Sequence, residues 1–179
     1  MSVRGGVRRR ENPGEKLILG DLPSIVEDSK RKGYYVNDRA DIERIITDKG
    51  IRIVKEKLPA NISGYLKRDE NGWIIGVNLL HHPKRQRFTM AHEFAHYCLH
   101  KNETEGFEDT TFFRKENDSS IEYNANDFAS ELLMPSDRFI NLMKSGVTSI
   151  IKLSEIFDVS TLAVKYKANS LNINIGSND

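Results

Sequence analysis

The amino-acid sequence predicts an α+β fold with a small antiparallel sheet and several helices. Three observations predict it. Residues 51–55, 65–68 and 73–78 carry the apolar and alternating patterns of short strands. Two longer stretches, 87–100 and 121–134, repeat apolar residues every three or four positions. Residues 136–179 break into two or three short helical pieces separated at Gly146 and at Asp158-Val159-Ser160.

The elements follow in order. Residues 1–21 read as an irregular leader in which Arg4, Arg8, Arg9, Arg10 and Lys16 outweigh Glu11 and Glu15. Such a segment is either a solvated terminus or a basic arm for a partner. Residues 24–32 suit a short helix that stops at Gly33. Asn37 or Asp38 is placed to cap a second helix with Ile42, Ile45 and Ile46 on one face, ended by Gly50. Residues 65–78 suit a hairpin turning at Asp69-Glu70-Asn71-Gly72. A loop with His81, His82 and Pro83 leads to the 87–100 helix. Residues 101–119 lack any period and read as a long loop. The 121–134 helix stops at Pro135. The organisation expected is a leader at 1–21, a principal domain at 22–135, and a C-terminal helical unit at 136–179.

Composition narrows the class. A chain of 179 residues suits one domain with a small appendage. Its charged fraction of 30% implies a strongly solvated surface over a modest core. The net charge of +1 provides no global field toward nucleic acid or membrane. Cys98 is the single cysteine, so no intramolecular disulfide forms, which fits a reducing compartment. The sequence has neither a secretory h-region nor a run of about 18 apolar residues, so a soluble, cytoplasmic protein is expected.

His92-Glu93-Phe94-Ala95-His96 is an HExxH sequence. Histidines four apart on a helix share a face and can hold one Zn²⁺. Glu93 is then placed as general base, to take a proton from water and pass it to a leaving amine. A catalytic zinc needs a third protein ligand. His100 lies about 12 Å along the axis from His92, too far to share the ion. The 121–134 helix offers a better one. Its apolar stripe is Ala125, Phe128, Ala129, Leu132 and Leu133, and Glu122 lies on the same face. A carboxylate aimed inward needs a cationic partner, and a metal is one. Glu131 falls on about the opposite side. Glu116 and Asp118, in the loop, are weaker competitors.

Residues 87–96 (Arg-Phe-Thr-Met-Ala-His-Glu-Phe-Ala-His) followed by 122–135 (Glu-Tyr-Asn-Ala-Asn-Asp-Phe-Ala-Ser-Glu-Leu-Leu-Met-Pro) resemble the ImmA/IrrE metallopeptidase family. The resemblance extends over about 35–170 in element order and implies a compact zincin-like fold. It also implies zinc held by His92, His96 and Glu122, with Glu93 as general base. Members of the ImmA kind cleave a helix-turn-helix repressor, and others regulate stress responses. The implied partner is therefore a repressor-like protein substrate.

The strand at 73–78, with Trp73, Ile75 and Val77, is either an edge that pairs with an extended substrate or an interior strand. Tyr97, Tyr123 and a loop histidine are unranked candidates for oxyanion support. Residues 153–166 resemble a helix-turn-helix phrase in which Ser160 caps the second helix. That leaves direct DNA binding as a second reading, with only Lys165 and Lys167 to meet phosphates. A third is a toxin-like or other regulatory partner of a repressor that acts without proteolysis.

Overall fold

The computed structural model describes residues 21–100 and 119–175. The leader through residue 20, the expected loop at 101–118 with Glu116 and Asp118, and the last four residues lie outside the described residues. Among the described residues the chain is a mixed α+β fold of seven helices and two small sheets. No described helix is long and apolar enough to cross a membrane.

Helix α1 spans Leu22–Arg31 and starts with a proline in its first turn, where a missing N–H costs nothing. Lys32 caps it, and Gly33 follows with positive φ. Strands β1 (Tyr35–Val36) and β2 (Arg39–Ala40) then form a two-stranded hairpin. Its turn residues Asn37 and Asp38 have φ of 50° and 68°. These residues therefore make the turn rather than cap a helix, because consecutive positive φ values suit a tight antiparallel hairpin. The cap belongs to Asp41, whose carboxylate accepts from the Arg44 N–H at the start of α2 (Ile42–Thr47). Ile42, Ile45 and Ile46 are buried as their spacing requires.

The larger sheet corrects the expectation of an antiparallel one. Strands β3 (Arg52–Glu56), β4 (Gly64–Asp69) and β5 (Gly72–Asn78) lie in the order β3-β5-β4. β4 and β5 are the expected antiparallel hairpin, but β3 pairs parallel to β5. The hairpin turn works as its residues suggest: Asp69 accepts from the Asn71 N–H, and Gly72 has a φ of 112°. β5 is the central strand, paired on both edges, and Ile74 through Asn78 are all buried. An uninterrupted apolar run marks such a strand. It cannot accept a substrate strand, so the edge reading of Trp73, Ile75 and Val77 fails. Gly76 is required there, since a Cβ would lie 2.2 Å from the Tyr65 ring that covers it.

Helix α3 (Pro83–His100) begins four residues before the expected start. The His82 ring accepts the Lys84 N–H, and Pro83 provides a helical φ without needing a donor. The polar residues 84–86 carry no apolar period, which hid this first turn. Their side chains instead reach across the molecule, with Lys84 donating to the Ser154 carbonyl and Arg85 to the Ser63 hydroxyl. Arg87 donates to the carbonyls of Ala40 and Asp158. One face of α3 packs on β4 and β5, and another on α4 (Ser119–Leu133). The predicted stripe Ala125, Phe128, Ala129, Leu132 and Leu133 is buried throughout.

The C-terminal segment forms α5 (Ser136–Lys144), α6 (Ile150–Ile156) and α7 (Thr161–Ser170). Ser160 caps α7 by accepting the Ala163 N–H. Leu153, Phe157, Val159 and Val164 belong to the same core cluster as the central helices. α7 lies on α4 and buries Lys167 to 3% exposure, where its ammonium meets Glu131 and the Ser136 hydroxyl. Lys167 is therefore not available to a phosphate backbone. Burial raises the Glu131 pKa, but the Lys167 charge and the Ser136 hydrogen bonds outweigh it and hold it below the ordinary carboxylate range.

A carboxylate with a depressed folded pKa stabilises the fold above its unfolded value and loses that contribution as pH falls through the folded one. Lys167→Met is expected to cost about 2–3 kcal/mol at pH 7, since it strands the half-buried Glu131. Urea denaturation should show the gap between variant and wild type shrinking below about pH 4.3, where a free Glu side chain protonates. A gap constant from pH 7 to pH 3 would mean that the ion pair does not carry the effect.

Candidate metal centre

Helix periodicity places His92 and His96 side by side on the α3 face that meets α4. Glu122, in the first turn of α4, faces them. One donor atom from each of the three lies within 4.8 Å of the others. The Glu122 carboxylate is 3.3 Å from His92 Nε2 and 3.4 Å from His96 Nε2. Tetrahedral ligands at about 2.0–2.1 Å from a zinc ion lie about 3.3–3.4 Å apart, so both separations suit a shared ion. The two Nε2 atoms are 2.9 Å apart, slightly closer than that. An ion between them would part the rings by a few tenths of an ångström.

The donor chemistry fits a divalent cation. The carboxamide oxygen of Asn126 lies 3.0 Å from His92 Nδ1 and accepts its proton. With Nδ1 donating to Asn126, a neutral His92 ring presents its lone pair at Nε2 to a metal, and a protonated ring donates from Nε2 to Glu122. Asn126 sits one turn after Glu122, so a single helix supplies both a candidate ligand and the group that orients another. Sequence reading missed Asn126, although its spacing of four from Glu122 was the available signal. His96 is fully buried, whereas the Glu122 side chain keeps 28% exposure, so access to the site is from the Glu122 side.

Burial would raise the Glu122 pKa, but hydrogen bonds from both histidines pull it down to about 2. Burial also opposes a charge on His92, yet Glu122, the nearby Glu93 and Asn126 raise its pKa above the ordinary imidazole value. The pocket is thus negatively poised and attracts a cation, whether a proton or a metal.

Glu93 is buried to 3% exposure on α3, next to the first histidine. Its methylene stem faces Gly64, the first residue of β4. A Cβ at Gly64 would lie 3.7 Å from Glu93 Cγ and 2.5 Å from both Thr89 Cγ2 and the Gly76 carbonyl. Only glycine lets β4 come this close to the helix. The loop before β4 is held by Asn78, whose buried carboxamide donates to the Ile62 carbonyl and accepts from the Leu80 N–H. No other described strand pairs with the outer edge of β4.

The remaining predicted residues disperse. His81 and His82 sit at the turn before α3, outside the cluster. Trp73 packs edge-on against Tyr97 at the far end of the sheet, with centroids 5.6 Å apart. Ile75 and Val77 are core residues with no surface to offer a substrate.

A helix-borne pair of histidines, a glutamate from the next helix and an adjacent buried carboxylate define a metallopeptidase of the His-Glu-x-x-His type. The family model of the IrrE N-terminal-like domain, peptidase family M78, matches residues 46–169, and the chain belongs to that family. The match extends over α5, α6 and most of α7 as well as the metal helices. No curated protein matches the sequence.

Two outcomes are expected of the metal site. Asn126→Ala should weaken metal binding about 10- to 100-fold in a chelator competition. Unchanged affinity would show that the hydrogen bond to His92 is dispensable. Apparent metal affinity should also fall as pH drops through the imidazole range, because protons compete with the metal for His92, whose pKa is raised. An affinity unchanged across that range in a chelator competition would contradict this.

Proposed function

We propose that this protein is a zinc-dependent endopeptidase that cleaves one specific intracellular protein, a helix-turn-helix transcriptional repressor, and so switches gene expression. The observation that carries the catalytic reading is the convergence of His92, His96 and Glu122, with Glu93 buried beside them. Two imidazoles and one carboxylate suit zinc, and leave room in its coordination for water and substrate. The repressor as substrate rests on the resemblance to the ImmA kind.

Zinc held by His92, His96 and Glu122 would supply Lewis acidity toward the scissile carbonyl and its attacking water. Glu93 accepts the proton of that water as the carbonyl is attacked, and returns it to the departing amine. Its burial against β4 shields the carboxylate from bulk solvent. Asn126 holds His92 in the tautomer the metal needs. The outer edge of β4 begins beside Glu93 and provides backbone donors and acceptors for an extended segment of the substrate.

The test is co-expression with a candidate helix-turn-helix repressor, followed by mapping of any fragment. Glu93→Gln should retain stoichiometric metal and lower cleavage by at least about a thousandfold, since it removes both proton transfers. Normal cleavage by that variant would overturn the mechanism. Cleavage that survives chelation would overturn the role of the metal.

A further inference from the structure

The strand beside Glu93 also carries an unexplained pair of cations. β4 reads Gly64-Tyr65-Leu66-Lys67-Arg68-Asp69. Asp69 is engaged by Arg52 at 2.5 Å. Lys67 and Arg68 are exposed, and neither meets a carboxylate among the described residues. Each is held over an aromatic ring instead, with Lys67 Nζ 4.9 Å from the centroid of Tyr65 and the Arg68 guanidinium 5.9 Å from that of Trp73. Ring contacts of this kind orient a guanidinium without neutralising it.

Strand alternation decides which of the two matters. Gly64 faces α3 at Thr89 and Glu93, so Leu66 and Arg68 face α3 as well. Arg68 is paired across the sheet with Trp73, and Trp73 packs against Tyr97 on α3, one turn beyond Glu93. Tyr65 and Lys67 project from the opposite face. Arg68 therefore lies on the side of the sheet that holds the general base, about 13 Å along the strand from Gly64 at about 3.3 Å per residue.

We propose that Arg68, braced on Trp73, selects substrate segments carrying an acidic side chain about four residues to the N-terminal side of the scissile bond. The inference rests on the peptidase reading above. An extended segment pairs more stably antiparallel than parallel to a strand, and β4 runs from Glu93 toward Arg68. The substrate then passes Arg68 before it reaches Glu93. A carboxylate that meets the guanidinium there forms a forked, charge-assisted pair, which neutral residues cannot match. Lys67, on the other face, adds a weaker general attraction for an acidic segment. Trp73 enters as the platform for Arg68 rather than as a pairing residue.

The experiment is profiling on a library of peptides from a whole-proteome digest, read by mass spectrometry, with zinc-loaded wild type, Arg68→Gln, Arg68→Glu and Glu93→Gln. Wild type should enrich Asp and Glu three to five residues before the cleaved bond, with about a fivefold advantage in kcat/KM over neutral peptides, as a partly exposed ion pair allows. Arg68→Gln should abolish the enrichment, and Arg68→Glu should replace it with Lys and Arg. Arg68 is exposed, so both variants should keep the wild-type circular dichroism and metal content. Glu93-dependent cleavage with no acidic enrichment, or an enrichment that survives Arg68→Glu, overturns this inference and leaves the peptidase reading standing. Absence of any Glu93-dependent cleavage of the library overturns this inference, whereas the peptidase reading stands or falls on the co-expression experiment.

Discussion

The contact between α3 and α4 fixes everything else in this molecule. Three ligand atoms from the two helices lie within 4.8 Å, and this sets the helices' axial register and rotation. A slide of one residue would carry Glu122 about 1.5 Å along the axis and turn it by about 100°. Packing below the site enforces the same register. Phe94 meets Phe128 edge-on at 6.1 Å, and Ala91, Ala95, Ala125 and Ala129 are fully buried. Small residues let the helices approach, and the aromatic pair prevents sliding. The polar cluster above could not form on a looser interface.

Because α3 is committed to α4 on one side, the sheet has to come to its other side. Gly64 and Gly76 are the means. One allows β4 to lie against Thr89 and Glu93, and the other allows the Tyr65 ring to lie flat on β5. The same arrangement leaves β5 in the middle and β4 at the edge nearest Glu93. An edge strand exposes unpaired backbone groups and invites association. The cations at Lys67 and Arg68 discourage pairing with another neutral strand while remaining compatible with an acidic one. Protection of the edge and choice of partner are therefore the same electrostatic fact.

The site was legible where chemistry dictates spacing. His92, Glu93 and His96 announce themselves because two ligands must be four apart on a helix, and Glu122 because a carboxylate falls on an apolar stripe. The helices from 121 onward were legible from their periods and caps, down to Ser160. Strand order was not. The 73–78 run contains Ile74, Ile75, Gly76 and Val77 without polar alternation, yet a local pattern cannot say which strand lies on either side of it. The parallel pairing of β3 depends on contacts over more than twenty residues. The first turn of α3 escaped notice because Lys84, Arg85 and Gln86 have only polar side chains, whose partners Ser154, Ser63 and His81 lie elsewhere in the chain. Asn126 escaped because a polar residue on a helix has many ordinary uses, and only the facing imidazole reveals this one.

Helix α4 shows how two carboxylates on one element come to opposite fates. Glu122 and Glu131 are nine residues apart, about half a turn out of phase. Each is drawn into the protein, and each requires a positive partner there. On the α3 side no lysine or arginine meets Glu122 among the described residues; His92 and His96 do, and Asn126 orients the first of them. On the α7 side Lys167 meets Glu131 directly. The covalently supplied cation makes a closed structural pair; a partner that must come from solution leaves a site. The same ion pair pins α7 to α4, and Arg87 pins the α6–α7 turn to α3 through Asp158. The C-terminal helices are thereby braced on both α3 and α4, and the buried Lys167 is committed to the protein's own scaffold. The outward face of α7 keeps Lys165 and the exposed Leu162.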